Sequence, residues 1–313
     1  MQAETSRLAR VRTFELSAER FRLLALAAAL SLYAIMVTGS LVRLTASGLG
    51  CGAWPGCEAG AFFPESGYHA YIEFGNRVFG IVPITLSLLA WLGARRTEHL
   101  PRWVVKVALA AFVGTLAQAP LGRLTITFDL HPLLVMAHFL LALLVLGAAV
   151  VVAVEAWRLA RGGTEPLVPG ELRRAGVVLA ASCLILVVTG TFATASGPHS
   201  GGEDIRRLGV LTDMLWVHVR TTAVFGCVFL FVLGYLAARR DRSPRLFRLA
   251  LALLGLILLQ MGVGEIQWRN ELPWGVVLLH VALAAAVWVA TVGLALLFFR
   301  PLAAFAPRRA YTG

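Results

Sequence analysis

Long apolar runs punctuated by short polar stretches dominate this chain. Eight of them are about 20 residues long, at 22–42, 72–93, 103–121, 132–156, 175–194, 212–237, 247–265 and 275–299. That length crosses about 30 Å of hydrocarbon as a helix. The runs are continuous, without the alternation of a membrane barrel strand. The pattern therefore predicts an all-α integral membrane protein with eight transmembrane helices. The N-terminal "RLARVRTFELSAERFR" mixes basic and acidic residues, has no tidy small-residue cleavage site, and leads straight into the first run. It reads as an uncleaved start.

Composition agrees with this pattern. Of 313 residues, 58% are hydrophobic and 14% charged, against roughly 25% charged in an ordinary soluble domain. The net charge of +11 would suggest nucleic acid in a soluble protein. Here the basic residues sit in short loops, where they set topology. Twenty-one of the Lys and Arg residues fall on the side shared by the two termini and seven on the other. This split predicts that both termini are cytoplasmic.

Polar positions inside the apolar runs repeat. "TASG" occurs at 45–48 and 194–197, each time after a "VTG" (37–39 and 188–190). A fixed offset of 142 residues, read from the sequence numbers, relates Asn76 to His218, Gln118 to Gln260, Gly122 to Gly264 and His138 to His280. The expected domains are two four-helix bundles, residues 1–160 and 161–313. Each has an even number of spans, so the halves are expected as a parallel repeat about a pseudo-twofold axis along the membrane normal.

Three histidines lie within spans: His138, His218 and His280. Each is about six residues from the outer end of its span, or roughly 9 Å deep at 1.5 Å per residue. An ionisable group at such depth is costly and commonly functional. A lone one would read as a neutral histidine bonded to a neighbouring helix; three at one depth argue for a site. No Cys, Asp or Glu at helical spacing completes a tetrahedral metal set around His218 or His280. Two facing imidazoles in an apolar bundle suit the axial positions of a heme. By the repeat, a second porphyrin belongs between position 76 and His138. Asn76 is a poor iron ligand, so this site is expected to be asymmetric, with an open or weak side. His69, His99, His131 and His199 fall in loops and are expected on solvated surface.

Glu73 lies three residues before Asn76, one helical turn away on the same face, and Arg77 follows Asn76 directly. Their repeat counterparts are Leu215 and Val219, so the charges belong to one half only. The plain reading is a pair of interfacial charges. The functional one is an acid/base group beside the substrate, with Arg77 taking a porphyrin propionate. Cys51 and Cys57, in "CGAWPGC", are expected to form an external disulfide, structural or exchanging with a redox partner. Cys183 and Cys227 read as helix packing residues.

"GSLVRLTASGLGCGAWPGC" (39–57), "EFGNRVFG" (73–80), "QAPLGRLTITFDLHPLLVMAHF" (118–139), "WVHVR" (216–220) and "WGVVLLH" (274–280) together resemble the heme A synthase family. The resemblance covers nearly the whole chain. It implies oxidation of a ring methyl of heme O to a formyl group by successive hydroxylations, giving heme A for terminal oxidases. It also implies that His218 and His280 ligate a heme b, that His138 ligates the substrate heme, that Glu73 is catalytic and that Asn76 and Arg77 line the substrate pocket. The implied partners are a heme O synthase and an aa3-type terminal oxidase. The implied place is a bacterial plasma membrane, with the heme sites toward its extracytoplasmic side. Many members carry Glu-x-x-His-Arg where this chain has Asn76, and the loop "SGPHSGGEDIRRLG" lacks the cysteines of some relatives.

Two readings compete with an enzyme. One is a heme-binding assembly or chaperone protein that has lost catalysis. The other is a transporter, although transporter sites lie near the midplane at broken helices. A cytochrome carrying electrons across the membrane would need hemes near both faces, and here the buried histidines share one.

Overall fold

The computed structural model describes residues 15–65, 67–162, 170–199, 201 and 205–299. The basic terminal segments counted above lie largely outside the described residues. Among those residues there are nine helices. They are α1 (Ala18–Leu44), α2 (Tyr68–Phe79), α3 (Ile81–Arg96), α4 (Arg102–Thr127), α5 (Pro132–Ala160), α6 (Gly170–Ser196), α7 (Leu211–Ala237), α8 (Pro244–Arg269) and α9 (Trp274–Leu296). They make eight candidate membrane spans, because α2 and α3 together form one.

Most helices overrun their apolar runs at one or both ends, since interfacial polar residues continue the backbone ladder, whereas α9 stops at Leu296, short of the end of its run. The second span begins at Tyr68 and is broken at Gly80, which periodicity alone does not predict. Pro83 supplies a reason. Its missing N–H would have bonded the Phe79 carbonyl, so the helical ladder has no donor there. α4 carries Pro120 in its interior, and the position 142 residues on is Gly262 in α8. Both helices are thus weakened at one register, close to Gln118 and Gln260.

α1 packs on α3 and α5, and α4 packs between α3 and α5. α6 packs on α7 and α9, and α8 packs between α7 and α9. α2 leans on α1 and α3 alone among its substantial neighbours. The two sets meet where α9 lies against α5 and α1, and α5 against α6. The largest apolar cluster lies at this seam and includes Leu32, Leu143, Leu146, Leu179, Phe225, Leu253 and Trp288. Outward faces of α7 and α8 expose Val224, Leu230, Phe231, Leu258 and Leu259, as lipid-facing helix surfaces do. Apolar contact is no driving force between helices in lipid, so close packing and interhelical hydrogen bonds hold the seam. Tyr33 Oη donates to Ala282 O at 2.9 Å, and Trp288 Nε1 to Leu143 O at 2.9 Å. Gly147 admits the Trp288 ring: a Cβ there would lie 3.2 Å from it.

The loops at the disulfide end also join the two sets. Gly48 N–H donates to Gly201 O at 3.2 Å. Arg43 donates to the His199 carbonyl, and His199 Nε2 lies 2.6 Å from Leu272 O. His199 is therefore half-buried and tied to the α8–α9 turn, not free in solvent as its loop position suggests. The α4–α5 and α8–α9 turns match: Asp129 and Leu130, and Glu271 and Leu272, all have positive φ.

Candidate functional site

The repeat seen in the sequence builds the same small cradle twice. Thr38 and Gly39 on α1 face Asn76 on α2. Thr38 Oγ1 donates to Asn76 Oδ1 at 2.8 Å, and a Cβ on Gly39 would lie 3.8 Å from Asn76 Nδ2. In the second half, Thr189 and Gly190 on α6 face His218 on α7. Thr189 Oγ1 lies 3.3 Å from His218 Nδ1, and a Cβ on Gly190 would lie 3.0 Å from His218 Cε1. "VTG" is thus a positioning device for the residue at 76 or 218. In the sequence it stands out only as a repeat.

A second pair of cradles holds the other histidines. Gln118 Nε2 donates to His138 O at 3.3 Å, and a Cβ on Gly122 would meet His138 Cε1 at 3.4 Å. Gln260 Nε2 lies 3.1 Å from His280 Nε2, and a Cβ on Gly264 would meet His280 Cε1 at 3.0 Å. Glycine at 190 and 264 is required by this approach, not by backbone conformation.

These cradles fit a porphyrin ligand set. His138 Nδ1 and His280 Nδ1 are buried with no hydrogen-bond partner, and buried polar nitrogens are ordinarily paired. Glycines clear the walls on which the rings lie. Among the described residues no group of three or more His, Cys, Asp or Glu could hold a metal ion by itself.

Glu73 and Arg77 are tied to the loop that carries the two cysteines. Glu73 is 5% exposed and sits beneath the 51–57 loop. Its Oε2 accepts from Cys51 N–H at 2.9 Å, and its Oε1 pairs with Arg77. Arg77 Nη1 also donates to the Ala53 and Gly56 carbonyls, each at 2.7 Å. Cys51 and Cys57 form a disulfide packed with Ala70 and Phe74 in a small buried cluster. The carboxylate, the guanidinium and the disulfide loop are one unit. Arg77 gives three of its five N–H donors to the loop and to Glu73.

Of the remaining sequence-marked residues, Cys183 is buried as expected, while Cys227 is exposed on the outer face of α7. His69 Nδ1 lies 2.9 Å from Ser47 Oγ, within the first "TASG".

Comparison with known proteins places the chain among enzymes of heme modification. It is 27% identical over 266 residues to a heme A synthase of Symbiobacterium thermophilum, covering 80% of this chain and 86% of the relative. It is 29% identical over 153 residues to a heme A synthase of Bacillus pumilus, covering 47% of this chain and 48% of that protein. A third relative, from Thermus thermophilus, is named protoheme IX farnesyltransferase. It is 30% identical over 287 residues, covering 83% of this chain and 45% of its own length. The chain thus spans about half the length of the Bacillus and Thermus relatives that it matches, and most of the Symbiobacterium one. The sequence pattern of the cytochrome oxidase assembly protein family COX15-CtaA matches residues 61–292, and this chain belongs to that family.

Proposed function

We infer that this chain is a heme A synthase, an oxidoreductase that converts a ring methyl of heme O to the formyl group of heme A. The observation that carries the reading is the duplicated cradle. A Thr–Gly pair and a Gln–Gly pair flank position 76 and His138 in one half, and His218 and His280 in the other. The relatives' names supply the reaction. A transporter would not need imidazoles walled by glycine at the outer ends of its helices.

The halves are two four-helix bundles, 1–160 and 161–313, related by a pseudo-twofold axis along the membrane normal. The second bundle holds a heme b between His218 and His280, and this group supplies reversible one-electron transfer. Thr189 beside His218 Nδ1 fixes which ring nitrogen is free to ligate, the usual task of an outer hydrogen bond. The first bundle holds the substrate on His138. Glu73 is the acid/base group of this half. Arg77 and the Cys51 N–H hold its two oxygens, so the carboxylate keeps one orientation. Both termini face the cytoplasm of a bacterium, and both heme sites lie toward the extracytoplasmic side.

The substrate comes from a heme O synthase and the product goes to an aa3-type oxidase. The Thermus relative supports the first hand-over. It bears the name of a protoheme farnesyltransferase, yet less than half of its length matches this chain.

The test is co-expression with a heme O synthase in a host without heme A, followed by extraction and separation of the hemes. Heme A is expected from the wild type, and none from Glu73→Ala or His138→Ala. Bound heme b without heme A would make the chain an assembly protein. A folded protein devoid of heme would end the porphyrin reading.

A further inference from the structure

We propose that the substrate iron in the first half keeps one axial position open, and that Asn76, oriented by Thr38, is the hydrogen-bond donor to whatever small ligand enters there. The proposal rests on the reading that His138 holds a porphyrin in this half.

The repeat makes the comparison internal to the chain. Thr189 lies against Nδ1 of His218. With the ring's Nδ1–H directed at that hydroxyl, its Nε2 lone pair is left for a metal. Thr38 occupies the corresponding place and contacts Asn76, but the outcome is inverted. The one atom of an amide able to donate to iron is its carbonyl oxygen, and Thr38 takes one of the two lone pairs of Asn76 Oδ1 at 2.8 Å, so that this oxygen is turned to Thr38. The other end of the amide is Nδ2, which carries two N–H donors and no available lone pair. It lies on the Gly39 side, 3.8 Å from where a Cβ would be, as the His218 ring lies against Gly190. One cradle therefore presents a ligand and the other a hydrogen-bond donor. The structural alternative is that Asn76 only ties α2 to α1.

Carbon monoxide is the probe, because it binds ferrous heme only where an axial position is free. The full chain is purified from cells supplying heme O, reduced, exposed to carbon monoxide and followed by optical and vibrational spectroscopy. In the wild type, one heme should bind the gas and the His218–His280 heme should not. His138→Ala should remove the reactive heme. Asn76→His should keep both hemes but abolish binding. Asn76→Leu should keep both hemes and the gas, with the C–O stretch moved to higher frequency by loss of the donor. Thr38→Val should broaden or shift that band without changing heme content.

A His138-dependent heme that refuses carbon monoxide would overturn the proposal, as would an unmoved C–O stretch in Asn76→Leu. Either result leaves the heme reading intact. If no bound heme depends on His138, the underlying reading itself fails.

Discussion

At the scale of single residues, the glycines facing imidazoles are the most exacting feature of the site. Gly190 and Gly264 each leave room that a methyl group would take from a histidine ring, at 3.0 Å from Cε1. Gly255 on α8 has nothing within 4 Å of its would-be Cβ. Alanine at 190 or 264 must push the ring aside, an overpacking cost of about 1–3 kcal/mol. That corresponds to roughly 5- to 150-fold weaker retention of the second-half heme. Gly255→Ala should leave occupancy unchanged. Pyridine hemochrome content per purified chain measures this; equal occupancy in all three variants would show that the glycines serve only helix packing. The histidines, and the offset linking them, were legible in the sequence because ionisable groups stand out in apolar runs. The threonines beside them were not, since a hydroxyl in a membrane helix can bond its own preceding turn, as Thr38 also does to Ile35 O at 3.2 Å. Only the fold shows which second partner it has.

Elements tell a similar story at the α1–α2 connection. The sequence marked the disulfide and the charged pair as separate features, because residues 20 apart carry no signature of contact. Folding joins them: one guanidinium spans the Glu73 carboxylate and two loop carbonyls. That fork geometry is specific to arginine. Arg77→Lys keeps the charge but cannot reach all three acceptors, so the loop loosens and Glu73 loses its fixed orientation. Heme A output is expected to fall on the order of tenfold, about 1.4 kcal/mol, while the optical signature of the His218–His280 heme stays unchanged. Arg77→Leu leaves a buried carboxylate without its counter-charge and should abolish output. Full activity in Arg77→Lys would mean that charge alone matters at this position. The break at Gly80 belongs to the same scale. Spans were legible by length and hydropathy, whereas the interruption depends on Pro83, which a run of apolar residues hides.

For the whole molecule, the question is what keeps two sets of helices in one register when lipid competes for every apolar contact. At the arginine-rich end, the answer involves a buried ion pair. Glu155 and Arg158 on α5 are 5% and 3% exposed and pair with each other. Arg158 Nη2 also donates to Leu296 O at 2.6 Å and Phe299 O at 3.0 Å. Leu296 O closes α9 and also accepts from Phe299 N–H at 3.0 Å, while Phe299 O lies just beyond the helix; a cation there also meets the negative end of the helix dipole. One side chain therefore neutralises a carboxylate in its own helix and caps a helix from the other half. Nothing in the pattern of residues hinted at this, since Arg158 counted only as a loop charge. Arg158→Leu strands Glu155 and removes the donor shared by Leu296 O and Phe299 O, at a cost of about 3–5 kcal/mol. Glu155→Leu with Arg158→Leu removes the uncompensated charge and loses only the cap, so it should recover most of that stability. Thermal unfolding of the detergent-purified variants, monitored by helical signal and by release of the second-half heme, compares the two. A double variant as unstable as Arg158→Leu would mean that the bonds to α9, and not the buried carboxylate, dominate the coupling between the halves.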